Sequence, residues 1–324
     1  MDGIIIVNKK KGVTSNYVVN QVKHIFNCKV GHTGTLDPNA TGALPLLLGD
    51  GTKFSKYLIN HDKEYCATLQ LGTKMSTADV EGNVIEQRAV DDSVFVEDYI
   101  NGVLDSFIGV QTQTPPVYSA IKVNGKKLYE YARKGINVDV PKRNIEIYKI
   151  ELIELDSEKK RVKFNVECSK GTYIRSLCED IAERMNTVGY MLDLNRLKVG
   201  DFSIENSVDI ATLEEHKNDK NWIDEHTITL EDVMLKYNRI DVSMLVLEQF
   251  LNGVKIETNE PDGVYKIYCD NKFIGSGIVE NARLKRDIIL NKRWKYAIIS
   301  KNLHKKEKTY VFNCWIRKSR GRVC

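Results

Sequence analysis

The chain has 324 residues, 42% of them hydrophobic, with 48 Lys and Arg against 44 Asp and Glu for a net charge of +4. That length and composition suit a globular protein of roughly two domains with a sizeable core, which excludes a disordered or fibrous chain. No apolar run approaches the ~20 residues of a membrane span, so no membrane association is expected.

The opening Gly3–Val7 reads as a short apolar strand, too short and too early for a secretory leader, with the charges of Lys9–Lys11 behind it. A cytoplasmic protein is expected. Thr14 and Ser15 supply capping hydroxyls, and Val18, Val19, Val22, Ile25 and Phe26 follow at helical spacing. Residues 31–42 read GHTGTLDPNATG, a loop of small and turn-forming residues around one carboxylate, Asp37. Pro38 fixes its own φ and biases Asp37 away from the helical region. Such a loop holds one acid out toward a cleft. Thr52–Leu58 continues as a short helix, and Lys63–Leu71 alternates as a strand with Tyr65 near its start.

Val94–Phe107 looks helical. Gln113–Lys127 looks extended, stiffened by Pro115–Pro116 and turned at Asn124–Gly125. A helical turn over Tyr129–Lys134 ends at Gly135, and Ile145–Leu155 and Arg161–Cys168 read as strands. Tyr173–Met185 is an amphipathic helix whose first turn holds Arg175. A cation there opposes the helix dipole, so it needs another reason to be present. Glu205–Glu231 is a polar connecting segment with room for a short helix. Beyond it come a helix over Ser243–Leu251 and short β-like runs, VYKIYC and KFIGSGIV, which suggest a small barrel. The tail from Lys292 is basic, and Tyr310–Phe312 reads as a strand.

Seven cysteines show no C-x-x-C pair and six histidines no i, i+4 pair, so neither a metal site nor a redox motif is expected. Basic residues gather locally at Lys9–Lys11, at Lys122 with Lys126–Lys127, at Arg133–Lys134 and at Lys142–Arg143. Clusters of this kind can track phosphates.

Four segments in register resemble the bacterial tRNA pseudouridine-55 synthase family. They are GIIIVNKKKGVTSN near the start, GHTGTLDPNATG, KEYCATLQLG, and CSKGTYIRSL with the downstream LNRLKVG. The resemblance runs from about Gly3 to Phe202. It implies an α+β fold with a mixed, mostly antiparallel sheet and flanking helices over residues 1–235. It further implies a PUA-like RNA-binding β-barrel over 236–300, carried by FLNGVKI, GSGIVE and LKRDIIL, and a basic extension over 301–324. Two departures stand out: Lys10 and Arg286 stand where the family pattern has Pro.

The resemblance assigns Asp37 as nucleophile and Arg175 as the cation that keeps it ionised, with Tyr65 and Tyr173 beside the target base. Lys9, His32 and Leu194 match further substrate-side positions. Residues 113–143 match a thumb loop that closes over RNA, with Lys122, Lys126, Arg133 and Arg143 as phosphate contacts. The implied reaction isomerises a uridine in the T-loop of tRNA after the base is flipped from its stack. It transfers no electrons, so no cofactor is expected. The expected partner is tRNA through its T-loop and T-stem. No obligatory protein partner and a monomer are expected. Whether Asp37 attacks C6 of the base or C1′ of the ribose is open.

A tRNA-refolding chaperone would need the thumb and the second domain but not the chemistry. An Asp-nucleophile phosphohydrolase would need a second acid beside Asp37 and a Mg²⁺ site. The loop holds no other acid. A guide-RNA-dependent synthase would share the motifs but need partner proteins.

Overall fold

In the opening strand, β1 (Gly3–Lys9), residues Ile4, Ile5, Ile6 and Val7 are all buried, because both faces of this edge strand are covered. The structure, a computed structural model, describes residues 1–59, 61–119, 121–136 and 138–290. The basic tail and the strand expected at Tyr310–Phe312 lie outside the described residues. The chain divides into two compact units, Gly3–Thr227 and Ile228 onward.

The first unit is built on a nine-stranded sheet. After β1 come β2 (Val30–His32), β3 (Thr41–Leu48), β4 (Lys63–Leu71), and a separate hairpin of β5 (Thr73–Met75) and β6 (Val84–Gln87). Next are β7 (Gly109–Gln113) and a second small hairpin, β8 (Lys122–Val123) and β9 (Lys126–Lys127). The unit closes with β10 (Arg143–Asp156), β11 (Arg161–Cys168), β12 (Gly189–Val199) and β13 (Phe202–Ser203). The sheet order is β1-β3-β12-β4-β11-β10-β7, antiparallel except where β12 runs parallel to β3. That parallel pair sets the loop between β2 and β3 beside the middle of β12. Gly42 permits it: its φ is +108°, and a Cβ there would lie 2.3 Å from the Arg196 carbonyl.

Helix α1 (Ser15–Phe26) is capped by Thr14, whose hydroxyl accepts from Tyr17 N at 3.1 Å, and ends at Asn27 in the left-handed region. Its Val18 and Val22 pack on Ile5, Val7, Leu44, Leu46 and Leu48. The expected short helix is a 3-10 turn (Gly49–Phe54) leading into α2 (Ser55–Leu58). Helix α3 (Glu97–Asp105) and α5 (Ile174–Arg184) cover the other core, built on Ala67, Leu69, Val162, Phe164 and Val166. Each fully buried side chain of this size contributes about 1.5–3 kcal/mol. Between them, α4 (Leu128–Ala132) lies in the 113–143 segment. The polar connector holds two short helices, α6 (Ile210–Glu215) and α7 (Lys220–Glu225).

The second unit has five strands: β14 (Asn238–Asp241), β15 (Ile256–Glu257), β16 (Gly263–Cys269), β17 (Lys272–Glu280) and β18 (Arg283–Ile289). They lie in the order β14-β16-β17-β18-β15, with α8 (Met244–Leu251) packed on them through Leu247 and Phe250. Where a small barrel is expected, the strands form a curled half-barrel with β14 and β15 as its two edges. At Gly275 the strands come so close that a Cβ would lie 1.9 Å from the Ile288 carbonyl. Arg286, which replaces an expected Pro, donates from its guanidinium to the Leu251 carbonyl at the end of α8. A cation suits a helix C-terminus.

Candidate active site

The Asp37 loop is held from several sides. Ser15 at the start of α1 both donates to the Leu36 carbonyl (3.0 Å) and accepts from Leu36 N (2.9 Å). Gly12 N donates to the Pro38 carbonyl at 2.9 Å, and Ala40 N closes a turn onto the Asp37 carbonyl at 3.1 Å. Thr41 reaches across to the Leu194 carbonyl and Asn195. Leu36 is buried, so the loop has its own apolar anchor. The carboxylate of Asp37 stays partly open, its side chain 39% exposed.

Arg175 lies in the first turn of α5 with its side chain only 7% exposed. Its donors are divided among four acceptors. Nε meets Asp37 Oδ2 at 3.2 Å, Nη1 meets Asp79 Oδ2 at 3.4 Å and the Thr77 carbonyl at 3.4 Å, and Nη2 meets the Tyr118 carbonyl at 3.1 Å. A planar guanidinium suits such divided service, and a lysine does not. Asp79 is itself oriented by the Thr77 hydroxyl (2.5 Å) and by Glu81 N (3.1 Å). It sits between β5 and β6, after Ala78, whose φ is +60°. One buried cation therefore stands between two acids, one sealed and one open.

These groups open into a cleft of about 490 Å³. Asp37, Tyr65, Tyr173, Arg175 and Leu194 all line it. Tyr118, Ser119 and Tyr129 from the 113–143 segment line it too, as do Lys63 and Arg196. Gln113 fixes Tyr173 from both sides: its Oε1 accepts from Tyr173 N (2.8 Å) and its Nε2 donates to the Tyr173 carbonyl (3.1 Å). Burial pushes the Tyr65 hydroxyl up to about 12, against the opposing pull of Arg196.

The remaining expected site residues lie elsewhere. Lys9 does not face the cleft; it is fully buried, and its Nζ donates to the carbonyls of Val13 (2.7 Å), Pro38 (2.9 Å) and Lys10 (3.0 Å). It braces the Asp37 loop from behind, and burial lowers its ammonium to about 8. Lys10 points outward to Asp209 at 3.7 Å, so losing the Pro leaves the loop's bonds intact. His32 is half-buried on β2, outside the cleft lining, with a buried Nδ1 that has no partner among the described residues. Burial, then Arg196, lowers its pKa. Lys122, Lys126 and Arg133 lie exposed on the 113–143 segment, and Arg133 and Lys127 flank the Tyr129 ring. Arg143 sits over the Tyr173 ring at 5.4 Å, at the rim.

Residues 23–174 match the family model described as TruB family pseudouridylate synthase (N terminal domain), and 175–251 match the tRNA pseudouridylate synthase B C-terminal domain. The chain is 42% identical to the tRNA pseudouridine synthase B of Clostridium kluyveri over 293 residues, covering 88% of this chain and 98% of that one.

The chain belongs to the TruB family of pseudouridylate synthases.

A second TruB relative, the tRNA pseudouridine synthase B of Alkaliphilus oremlandii, is 41% identical and covers 87% of this chain and 94% of its own. Among solved structures, a chain of a Cbf5-Nop10-Gar1 complex matches with a TM-score of 0.64 at 23% identity, over 89% of this chain and 84% of that one. That likeness is one of fold, and it matches the mixed α+β architecture described above. Within this TruB chain, no sequence motif points to Asp79, and Arg196 falls inside LNRLKVG without being singled out as a site residue. Asp79 lies in a polar hairpin far along the chain from Asp37. Arg196 does leave a signal: it sits two residues after Leu194 on a strand, and so on the same face as a cleft residue.

Proposed function

We propose that this protein is a tRNA pseudouridine synthase that isomerises the uridine at position 55 in the T-loop, acting as an isomerase without a cofactor. The observation that carries the reading is the Asp37–Arg175–Asp79 network at the floor of an aromatic cleft, in a chain of the TruB family. The names of the ~40% identical relatives support the substrate class.

The chemistry breaks the N1–C1′ bond of the nucleotide, forms a C5–C1′ bond, removes one proton from C5 and places one on N1. Atoms and electrons balance within the substrate and one proton transfer. A carboxylate is a competent nucleophile for such a step if it stays ionised at a protein floor. Arg175 provides the opposite charge at 3.2 Å, and Asp79 holds Arg175 so that it cannot turn away. The detached base needs walls on both faces while it rotates. Tyr65, Tyr173, Leu194 and Tyr129 supply them.

A cleft of this size admits one nucleotide, so the target base must leave its stack. The exposed Lys122, Lys126 and Arg133, with Arg143 at the rim, are suited to meeting the RNA backbone. The half-barrel of the second unit is read as a PUA-like RNA-binding module. A monomer working in the cytoplasm fits this reading. The test is direct: wild type and Asp37→Ala are incubated with unmodified tRNA transcript and pseudouridine is mapped. Wild type should modify position 55 and Asp37→Ala should fall to background while still binding tRNA. Equal modification by both would remove the assignment.

A further inference from the structure

Arg196 is the most deeply buried large charged side chain of the first unit after Lys9, at 1% exposure. A buried guanidinium ordinarily comes with a carboxylate, because an unpaired buried charge is costly. Arg175 has two such partners. Arg196 has none among the described residues. Its Nε donates to the Ala43 carbonyl (2.8 Å) and its Nη2 donates to the Gly34 carbonyl (3.1 Å), while the Tyr65 hydroxyl, across the strand pair, lies near enough to act on the guanidinium's charge.

Those acceptors are not scattered. Gly34 precedes Asp37 by three residues, and Ala43 follows the loop on β3. Tyr65 lies directly across from Arg196 in the β12–β4 register. Arg196 thus grips both ends of the Asp37 loop beside the aromatic wall. The backbone makes this possible, since β12 runs parallel to β3 at Gly42 and antiparallel to β4 at Tyr65. Five donors in a planar fork suit acceptors that lie in three directions around one strand position.

We propose that Arg196 is a positioning residue for the isomerisation: a strap that fixes the Asp37 loop relative to the Tyr65 hydroxyl and keeps an uncompensated positive charge at the cleft floor. The inference rests on the function proposed above, with Asp37 and Tyr65 as its reacting and walling groups. Burial lowers the basicity of Arg196 itself, and Arg196 in turn opposes the rise of Tyr65. Both trends belong to a cation held in place by geometry at a cost.

The test uses single-turnover rates and tRNA-binding affinities for wild type, Arg196→Lys, Arg196→Met, Tyr65→Phe and the Arg196→Lys/Tyr65→Phe double variant. Arg196→Lys keeps the charge but cannot reach all three acceptors. Its rate should fall roughly 10²-fold, the scale expected from an ångström of misplacement, with affinity for tRNA within about threefold. In the Tyr65→Phe background the same change should cost clearly less, because the hydroxyl arm is already gone. A rate within about threefold of wild type, a loss carried wholly by affinity, or full additivity with Tyr65→Phe would each overturn the proposal. Arg196→Met tests the charge where it folds; Arg196→Lys remains informative where it does not.

A second readout needs no turnover. In the ¹⁵N spectrum a slowly exchanging Arg Nε–H signal should vanish in Arg196→Lys and shift in Tyr65→Phe. A signal indifferent to Tyr65→Phe overturns the strap. A wild type that makes no pseudouridine overturns the proposed function instead, and leaves this spectroscopic test standing.

Discussion

The Asp37 loop and the 113–143 segment face each other across one cleft and are built in opposite ways. The loop is short, and it is tied by Lys9 on β1, Gly12 in the turn after it, Ser15 on α1, Thr41 at the start of β3 and Arg196 on β12. The segment is longer, with two-residue strands and a one-turn helix, and its Lys122, Lys126 and Arg133 are exposed. Among its described residues, Gln113, Thr114 and Tyr118 tie it to α5 at one side and Arg143 pairs it with β7 at the other. The difference separates two demands. On the proposed function, Asp37 must be where the reacting atom will be, whereas the 113–143 segment must let an RNA in and out.

The contrast can be broken first at the ion network. Arg175→Met should lower the single-turnover rate by roughly 10²–10³-fold, because it removes the preorganised cation beside Asp37. Asp79→Asn should cost less, about 10- to 100-fold, since the pairing of Arg175 with Asp37 survives but its aim loosens. Both are read from rates on tRNA transcript, and an Asp79→Asn effect equal to that of Arg175→Met would mean that Asp79 does more than aim. Ser15→Ala then probes the rigid side alone. It leaves the buried Leu36 N–H and carbonyl unpaired, which should cost about 2 kcal/mol by urea unfolding. A loss under about 0.5 kcal/mol would mean that the loop does not depend on that tie.

The 113–143 segment predicts a different signature. Replacing Lys122, Lys126 and Arg133 by Ala should weaken tRNA binding. It should also reduce the slope of log K against log salt by about 0.9 for each phosphate that is no longer neutralised. The rate at saturation should stay within about twofold. An unchanged salt slope would remove these residues from the RNA path.

The smallest effect is a pH dependence in the rigid half. Asp180, on α5, is pushed up to about 6 by burial and then by Glu183. Its folded value lies above the unfolded one, so the native state holds the proton more firmly. The associated stability is complete at low pH and is lost as pH rises through about 6. Because Asp180 keeps an exposed side chain, solvent screens the effect, and Asp180→Asn should stabilise the protein at pH 7 only slightly while flattening this part of the stability profile. A profile unchanged between pH 4 and 7 would count against it.

What the sequence makes legible follows from how regular each element is. Residues 63–71 and 161–168 alternate because one face meets α3 and α5, and both read as strands. The capping hydroxyl at Thr14 and the apolar stripe of α5 are equally plain. Strand β3 is hidden because TGALPLLL is apolar on both faces and carries Pro45, so it has no alternation to read. Strand β12 is hidden by irregularities at Met191–Asp193 and Arg196–Lys198, which break its period. Within the site, Asp37, Tyr65, Tyr173 and Arg175 stand out because each lies in a compact motif. Asp79 joins them only through tertiary folding, and its approach turns on a positive φ at Ala78 that no local rule anticipates. Lys9 is legible as a conspicuous residue but not as a buried one, because its three carbonyl partners come from separate turns.

The double hydrogen bond between Gln113 and Tyr173, with the Ser176 hydroxyl on the Thr114 carbonyl (2.9 Å), bolts the root of the 113–143 segment to the first turn of α5. Past the stiff Pro115–Pro116 pair the segment is tied again, through the Tyr118 carbonyl that Arg175 holds at 3.1 Å, so an outward swing would have to release that bond. The root of the segment is thus tied to the same helical turn that carries Arg175.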